Sequence, residues 1–260
     1  MQRSLDRDGL ARDVDDDFTS PELDRTLWLP HYLPQWSSRT ASAARYRLAD
    51  GALHLVVEPD QPPWCPEFDG AVRVSNLQTG VRSGPVGSTD GQHRFSDALV
   101  VREEQPEQWL HTPRYGLVEV RARMDLDATG MAALWLIGVE DVPEHSAEIC
   151  VFEVFGRDVR PSSAVVGTGV HPFGNPRVRD DFARTELPVD VRAWHEYAVR
   201  WTPDEVVFAV DGQVAHVSDQ SPDHRVQVML DVYAFPAEGA APTRQQLVVD
   251  RFRSWRPAPR

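Results

Sequence analysis

Apolar and polar residues alternate along much of the chain with a period of two, as in strands that bury one face and wet the other. Tyr115-Gly116-Leu117-Val118-Glu119-Val120-Arg121-Ala122-Arg123-Met124 is the clearest such run. Tyr46-Arg47-Leu48, Asp50-Gly51 and Ala52-Leu53-His54-Leu55-Val56-Val57 read as two strands joined by a tight turn. The same arrangement recurs later, where Tyr197–Trp201 leads to Val206–Val210 and Asp211-Gly212 turns that strand into Gln213–Val217. Asp-Gly supplies the positive φ angles of a type I′ turn, whose twist matches the flanking strands. Val226–Val232 and Leu247–Arg253 add further strands, and sustained helical periodicity is absent. With 16 glycines and 21 prolines punctuating short strands, the expected fold is all-β. An antiparallel β-sandwich of the jelly-roll kind fits that spacing better than a parallel α/β sheet.

Residues 1 to 13 are charged and unpatterned, so they are expected to form a flexible N-terminal tail, with the first anchored segment near Phe18. Residues 14–260 are expected to form a single domain, since a sandwich of this length commonly builds one core. Pro62-Pro63-Trp64-Cys65-Pro66 and the stretch from Ser83 to Pro113 are long irregular connections. Connections of that length are usually functional or disordered, and these are read as the rims of a binding cleft.

Charge narrows the choice of partners. The 27 Lys and Arg against 40 Asp and Glu give a net charge of -13, which repels phosphate backbones and anionic membrane surfaces. Neither nucleic acid nor membrane is an expected partner, whereas a neutral polysaccharide or oligosaccharide is compatible, as is a simple solvated acidic surface. Cys65 and Cys150 are the two cysteines and lie far apart, which supports neither a disulfide framework nor a cysteine zinc site. The opening MQRSLDRDGLARDVDDDF lacks the apolar core of a secretory leader, and no segment has the apolar length to span a bilayer. As it stands the sequence reads as cytoplasmic; as the trimmed form of a longer chain it would read as secreted.

Candidate chemistry concentrates in Ala147-Glu148-Ile149-Cys150-Val151-Phe152-Glu153-Val154-Phe155-Gly156, where two carboxylates interrupt an apolar run. In a regular strand positions i and i+5 face opposite sides, so Glu148 and Glu153 share a face only if a bulge near Val151 or Phe152 absorbs one residue. Their α-carbons then lie roughly 13 Å apart along the strand. Two glutamate arms leaning together bring the carboxyls to about 5 to 6 Å, the gap of a retaining glycosidase. The plainer reading is that glutamates on a strand belong to its wet face.

The segment resembles the Glu-x-Asp-x-x-Glu signature of glycoside hydrolase family 16, in the concanavalin A-like lectin/glucanase superfamily. Arg114-Tyr115-Gly116-Leu117-Val118-Glu119-Val120-Arg121 is similar to that family's Tyr-Gly-x-x-Glu-x-Arg strand, and Leu134-Trp135-Leu136-Ile137-Gly138 to its Phe-Trp-Met-Leu-Gly strand. Trp194-His195-Glu196-Tyr197 through Trp201-Thr202-Pro203-Asp204 resembles its Trp-Thr-Pro-Asp hairpin, and Val249-Asp250-Arg251-Phe252-Arg253 its closing strand.

The resemblance implies a retaining endo-type hydrolase of a β-linked glucan or galactan, with Glu148 as nucleophile and Glu153 as general acid and base, and no cofactor for catalysis. Cys150 stands where the family carries its middle aspartate, and a neutral thiol supplies neither the charge nor the hydrogen bonding of a carboxylate. Catalysis is then retuned or lost; Cys150 acting as a nucleophile is a further reading, against an inert buried thiol. Gly130-Met131-Ala132 and Val142-Pro143-Glu144 occupy stretches where relatives place sugar-stacking tryptophans. Trp109 and Trp64 are the candidate replacements, while Trp135 and Trp201 alternate like core residues. His171, Arg82 and Asp231 fall on stretches that line the family's cleft and are candidate sugar contacts. Asp250, with a backbone oxygen at Gly51, corresponds to a structural calcium position in relatives. Two other functions remain open at this level: a lectin-like protein that binds carbohydrate without cutting it, and a scaffold on the same fold.

Overall fold

The structure, a computed structural model, describes residues 5–239 and 241–259. In chain order its strands are β1 (Leu10–Asp16), β2 (Arg45–Ala49), β3 (Ala52–Val57), β4 (Arg73–Gln78), β5 (Gly80–Val81), β6 (Gln108–Trp109), β7 (Gly116–Asp125) and β8 (Gly130–Gly138). There follow β9 (Glu148–Phe155), β10 (Ala164–His171), β11 (Asp181–Leu187), β12 (His195–Trp201), β13 (Val206–Val210), β14 (Gln213–Ser218), β15 (Val226–Ala234) and β16 (Gln245–Pro257). One antiparallel sheet runs β14-β13-β12-β7-β16-β3-β2, with β1 also paired to β16. The second runs β11-β10-β9-β8-β15-β4. The chain is thus an antiparallel β-sandwich, as the alternating pattern predicts.

Every second residue of the inner strands points between the sheets. Leu53 and Leu55 of β3, Val118 and Val120 of β7, Leu134 and Leu136 of β8 and Val228 and Leu230 of β15 join one buried cluster with Trp28, Tyr197 and Phe252. At roughly 25 cal/mol per Å² of apolar area removed from water, this cluster is the main term favouring the fold. The β2–β3 and β13–β14 turns carry positive φ at both central residues, 56° and 68° at Asp50 and Gly51 and 49° and 72° at Asp211 and Gly212. Both are therefore type I′ turns.

The expected tail is corrected for its described part. Leu10–Asp16 pairs antiparallel with β16, and Arg7 places its guanidinium 2.8 Å from the Glu119 carboxylate. Leu5 and Leu10 pack on Leu117, Ala198 and Trp255. The face of β7 that alternation marks as wet is accordingly covered by the segment before it, and Glu119 is buried there. Charged residues hide this strand from a pattern reading because their guanidinium and carboxylate groups pair across the sheet. Residues 1–4 lie outside the described part.

Both long connections lie over the outer face of the β11-to-β4 sheet, where Trp64, Leu99 and Val101 are buried with Val74, Met229 and Tyr233. No helix of the described chain is long and apolar enough to cross a membrane.

Close approach of β11 to β10 depends on Gly169, whose φ is 153° and where a β-carbon would lie 2.2 Å from the Asp181 carbonyl oxygen. Gly169→Ala is expected to lower unfolding free energy by about 2 kcal/mol, through backbone strain and that contact. Denaturant titration of the two proteins measures it, and equal midpoints would contradict this role for the glycine.

Candidate active site

Both neighbours of β9 slip by one residue at the same place. On β8, Leu134 faces Phe152 but Trp135 faces Cys150; on β10, Gly167 faces Glu153 but Gly169 faces Cys150. Val151 is therefore an extra residue in the ladder, and it and Phe152 both turn into the core. Glu148, Cys150 and Glu153 consequently emerge on the opposite face, where all three line one cleft. The bulge expected from the spacing is present, and the two glutamates share a surface.

That cleft encloses about 270 Å³ and is completed by Tyr32, His93, Met131, Ala133, Trp135, His171, Phe173 and Tyr233. Gly167 and Gly169 sit directly across from Glu153 and Cys150, and the space beside Gly167 is filled by the Phe182 ring from β11. His171 stacks on Phe182 with ring centroids 4.7 Å apart, and its Nδ1 lies 2.6 Å from the Asp180 carboxylate.

Burial dominates the electrostatics. It pushes the Glu148 carboxyl up to about 8, with the neighbouring Glu153 charge adding to the effect. Glu153 is also raised by burial, but His171, Arg184 and Arg157 pull it back. Among the described residues no hydrogen bond reaches either carboxylate, so nothing offsets the desolvation of Glu148. At neutral pH the more buried Glu148 holds its proton in the open cleft. Cys150 lies between them with its thiol raised far up by burial and then by both glutamates, so it is neutral.

The other residues singled out by sequence go elsewhere. Arg82 forms a two-pronged ion pair with Asp90 at 2.8 and 2.9 Å and donates to the Glu140 carbonyl, which fastens the loop before His93 rather than facing the cleft. Trp109 lies over Gly80, and its indole N–H donates to Glu107 at 2.6 Å. Asp231 is sealed beneath the cleft floor, where it accepts the Trp135 indole N–H and its carboxyl is raised far up by burial. Trp64 is fully buried and donates to Asp69 at 2.6 Å. Trp201 is in the core as expected, but Trp135 is corrected: Leu134 and Leu136 point inward and Trp135 points to the cleft. Both faces of β8 are apolar and covered, so alternation alone cannot give its phase.

His93, Tyr32, Phe173 and Tyr233 escaped the sequence reading because loops and strand neighbours far away in the sequence deliver them. His93 adopts φ 50° and is held by the Glu140 carboxylate, which accepts its backbone N–H at 2.7 Å. Burial drives the His93 imidazole down to about 4 and lifts Glu140 to about 7.

Calcium finds poor support in the donor set. Asp250 is the bulged residue between Val249 and Arg251, and the Arg121 guanidinium holds its carboxylate. Among the described residues no three His, Cys, Asp or Glu side chains gather as a cage, and calcium takes about six to eight oxygens. Gly51 has only backbone to offer, so Asp250 brings the one carboxylate of the expected pair, with its Oδ1 buried and unpartnered among the described residues.

The sequence profile of glycosyl hydrolases family 16 matches residues 110–243, just over half of the chain and including the whole bulged strand. The chain belongs to that family. It is 25% identical over 263 residues to the endo-1,3-1,4-beta-glycanase EglC of Rhizobium meliloti (strain 1021), a match that covers 92% of this chain and 49% of that protein. The chain thus spans about half the length of this curated relative. Among solved structures it is similar to the GlcNAcα1-4Gal releasing endo-β-galactosidase of Clostridium perfringens, with 27% identity and a TM-score of 0.81 over 98% of this chain and 65% of that one. The catalytic domain of an endo-1,3-beta-glucanase (laminarinase) from Thermotoga petrophila RKU-1 superposes with a TM-score of 0.66 at 17% identity, covering 95% of this chain and 98% of that one. At that identity the last match speaks to the fold.

The raised Glu148 carboxyl has a measurable consequence. Between the ordinary carboxyl range near 4.5 and about 8, the native state holds a proton that the unfolded chain has released, so stability falls as pH rises. Glu148→Gln removes that dependence, by at most about 1.4 kcal/mol per pH unit. Denaturation at pH 5 and pH 8 is expected to show the variant gaining on the wild type at the higher pH; a constant difference would refute burial as the cause.

Proposed function

We propose that this family 16 protein is a retaining endo-type glycoside hydrolase acting on a β-linked polysaccharide of the glucan or galactan class. The observation that carries the reading is the single bulge at Val151, which puts two carboxyls in one cleft. The names of the rhizobial and clostridial relatives, an endo-β-glycanase and an endo-β-galactosidase, support the two substrate classes.

Glu148 is the nucleophile and Glu153 the acid and base, as motif position implies. Sugar entering over the half-buried Glu153 strips it of water, which favours its neutral form and draws the proton away from Glu148. The Glu148 carboxylate then attacks the anomeric carbon while the glycosidic C–O bond breaks and Glu153 protonates the departing oxygen. In the second half Glu153 takes a proton from water, whose oxygen attacks the same carbon and releases Glu148. His171, Arg184 and Arg157 stabilise Glu153 whenever it is charged. Trp135, with its ring fixed by Asp231, supplies a flat surface for a pyranose.

Cleavage is expected on a panel of mixed-linkage β-glucan, β-1,3-glucan and β-galactan, measured as new reducing ends. Glu148→Gln and Glu153→Gln each lower the rate by about 10³-fold or more. Azide distinguishes the roles: rescue of Glu148→Ala gives a glycosyl azide of inverted configuration, and rescue of Glu153→Ala one of retained configuration. Swapped products would reverse the assignment. Because one proton is required, activity is expected to decline above a pH of about 8, where the pair loses it.

Cys150 favours a second reading, carbohydrate binding without turnover, since a neutral thiol leaves both acids without a charged partner between them. Under that reading the wild type binds glycans but is silent, and Cys150→Asp generates hydrolysis.

A further inference from the structure

Exposure of the cleft-bearing face changes steadily from one edge of its sheet to the other. On β4 and β15, Asn76, Gln78, Met229 and Asp231 are each 0% exposed. On β8 and β9, Ala133, Trp135 and Cys150 are buried but line the cleft. On β10, His171 is half-buried; on β11, Arg184, which pairs with Gly167 on this face, is exposed. Phe173, just past β10, is 53% exposed.

Loops cause this gradient. Tyr32 stands against Tyr233 with ring centroids 5.6 Å apart, and Trp64 backs Tyr32 at 4.6 Å. The loop segment around them is pinned to the sheet edge: Gln78 accepts the Leu33 N–H at 3.1 Å, and Leu29 exchanges backbone hydrogen bonds with Gln78. A second loop is tied to this one where the Gln92 carbonyl accepts from the side chains of Gln35 and Trp36, both at 2.9 Å. Buried aromatic rings held on several elements form a rigid wall, not a flap.

We infer that the cleft is closed at its β15 end by the Tyr32–Trp64 wall, so that the protein takes one terminus of a glycan and acts a short, fixed number of sugars from it. This rests on the hydrolase reading for the cutting, though not for the binding. The remainder of the polymer leaves across the open side over β10 and β11, where His171 stacked on Phe182 and the protruding Phe173 offer aromatic surface to pyranose rings. A polymer threading through would need an exit on the side that the wall fills. The bond cut remains an internal one, but its position is counted from a chain end.

Two measurements test this. With whichever polysaccharide of the panel is cut, one short product is expected to dominate from the first few per cent of cleavage, while viscosity falls slowly per bond broken. A ladder of lengths with an early collapse of viscosity overturns the inference and leaves the hydrolase reading standing. Independently, Glu148→Gln is titrated with laminarihexaose and with a β-linked galactohexaose, each bearing a bulky fluorophore at the reducing or the non-reducing end. A label at one terminus is expected to weaken binding at least tenfold, and at the other less than twofold. Equal affinity for the two labelled forms overturns the closed end. One-sided binding without cleavage by the wild type rejects hydrolysis alone, and absence of both cleavage and binding rejects both.

Discussion

The site depends on how two adjacent side chains, Val151 and Phe152, are accommodated in the core. A regular strand sends neighbours to opposite faces, and either orientation of an unbulged β9 would put one glutamate among Leu134, Tyr197 and Val228, where an unpaired carboxylate is several kcal/mol unfavourable. Inserting one residue into the ladder lets Ile149, Val151, Phe152 and Val154 all reach the apolar interior and leaves both acids outside it. Hydrophobic burial therefore fixes the geometry that the chemistry uses.

The same burial shapes the titration of the pair. A cleft floored by Trp135, Met131 and Ala133 and walled by tyrosine gives Glu148 little solvation and no hydrogen-bond donor, so its neutral form is favoured. Glu153 looks towards the open side, where His171, Arg184 and Arg157 lie. Two carboxyls five positions apart in sequence thus differ in character because cationic groups lie near Glu153 and none offsets the burial of Glu148. Where an aspartate would add a third charge, Cys150 adds none, which keeps the repulsion among the acids to a single pair.

Covering half of the outer face also links stability to the shape of the cleft. Loops that bury Trp36, Trp64, Leu99 and Val101 extend the apolar interior beyond the space between the sheets. Material that would otherwise be an open groove becomes packed protein, and the cleft is confined to the strands left uncovered. Arg82, Glu140 and His93 hold that arrangement together by backbone and ion-pair contacts, which is how residues outside the cleft bear on its shape.

Local patterns in the sequence determined the strand class, the two Asp-Gly hairpins and the need for a bulge between Glu148 and Glu153, because side-chain period and turn chemistry act over a few residues. Motif likeness added the family. Tertiary structure alone decided which face of the doubly apolar β8 carries Trp135, that Asp231 lies beneath the floor, and that Arg82 and Trp109 are used in loop packing. It also decided that Arg7 and the charged β1 are folded against β7 and β16. Each of these turns on partners brought together by sheet pairing between distant parts of the chain, and no local pattern encodes which partner arrives.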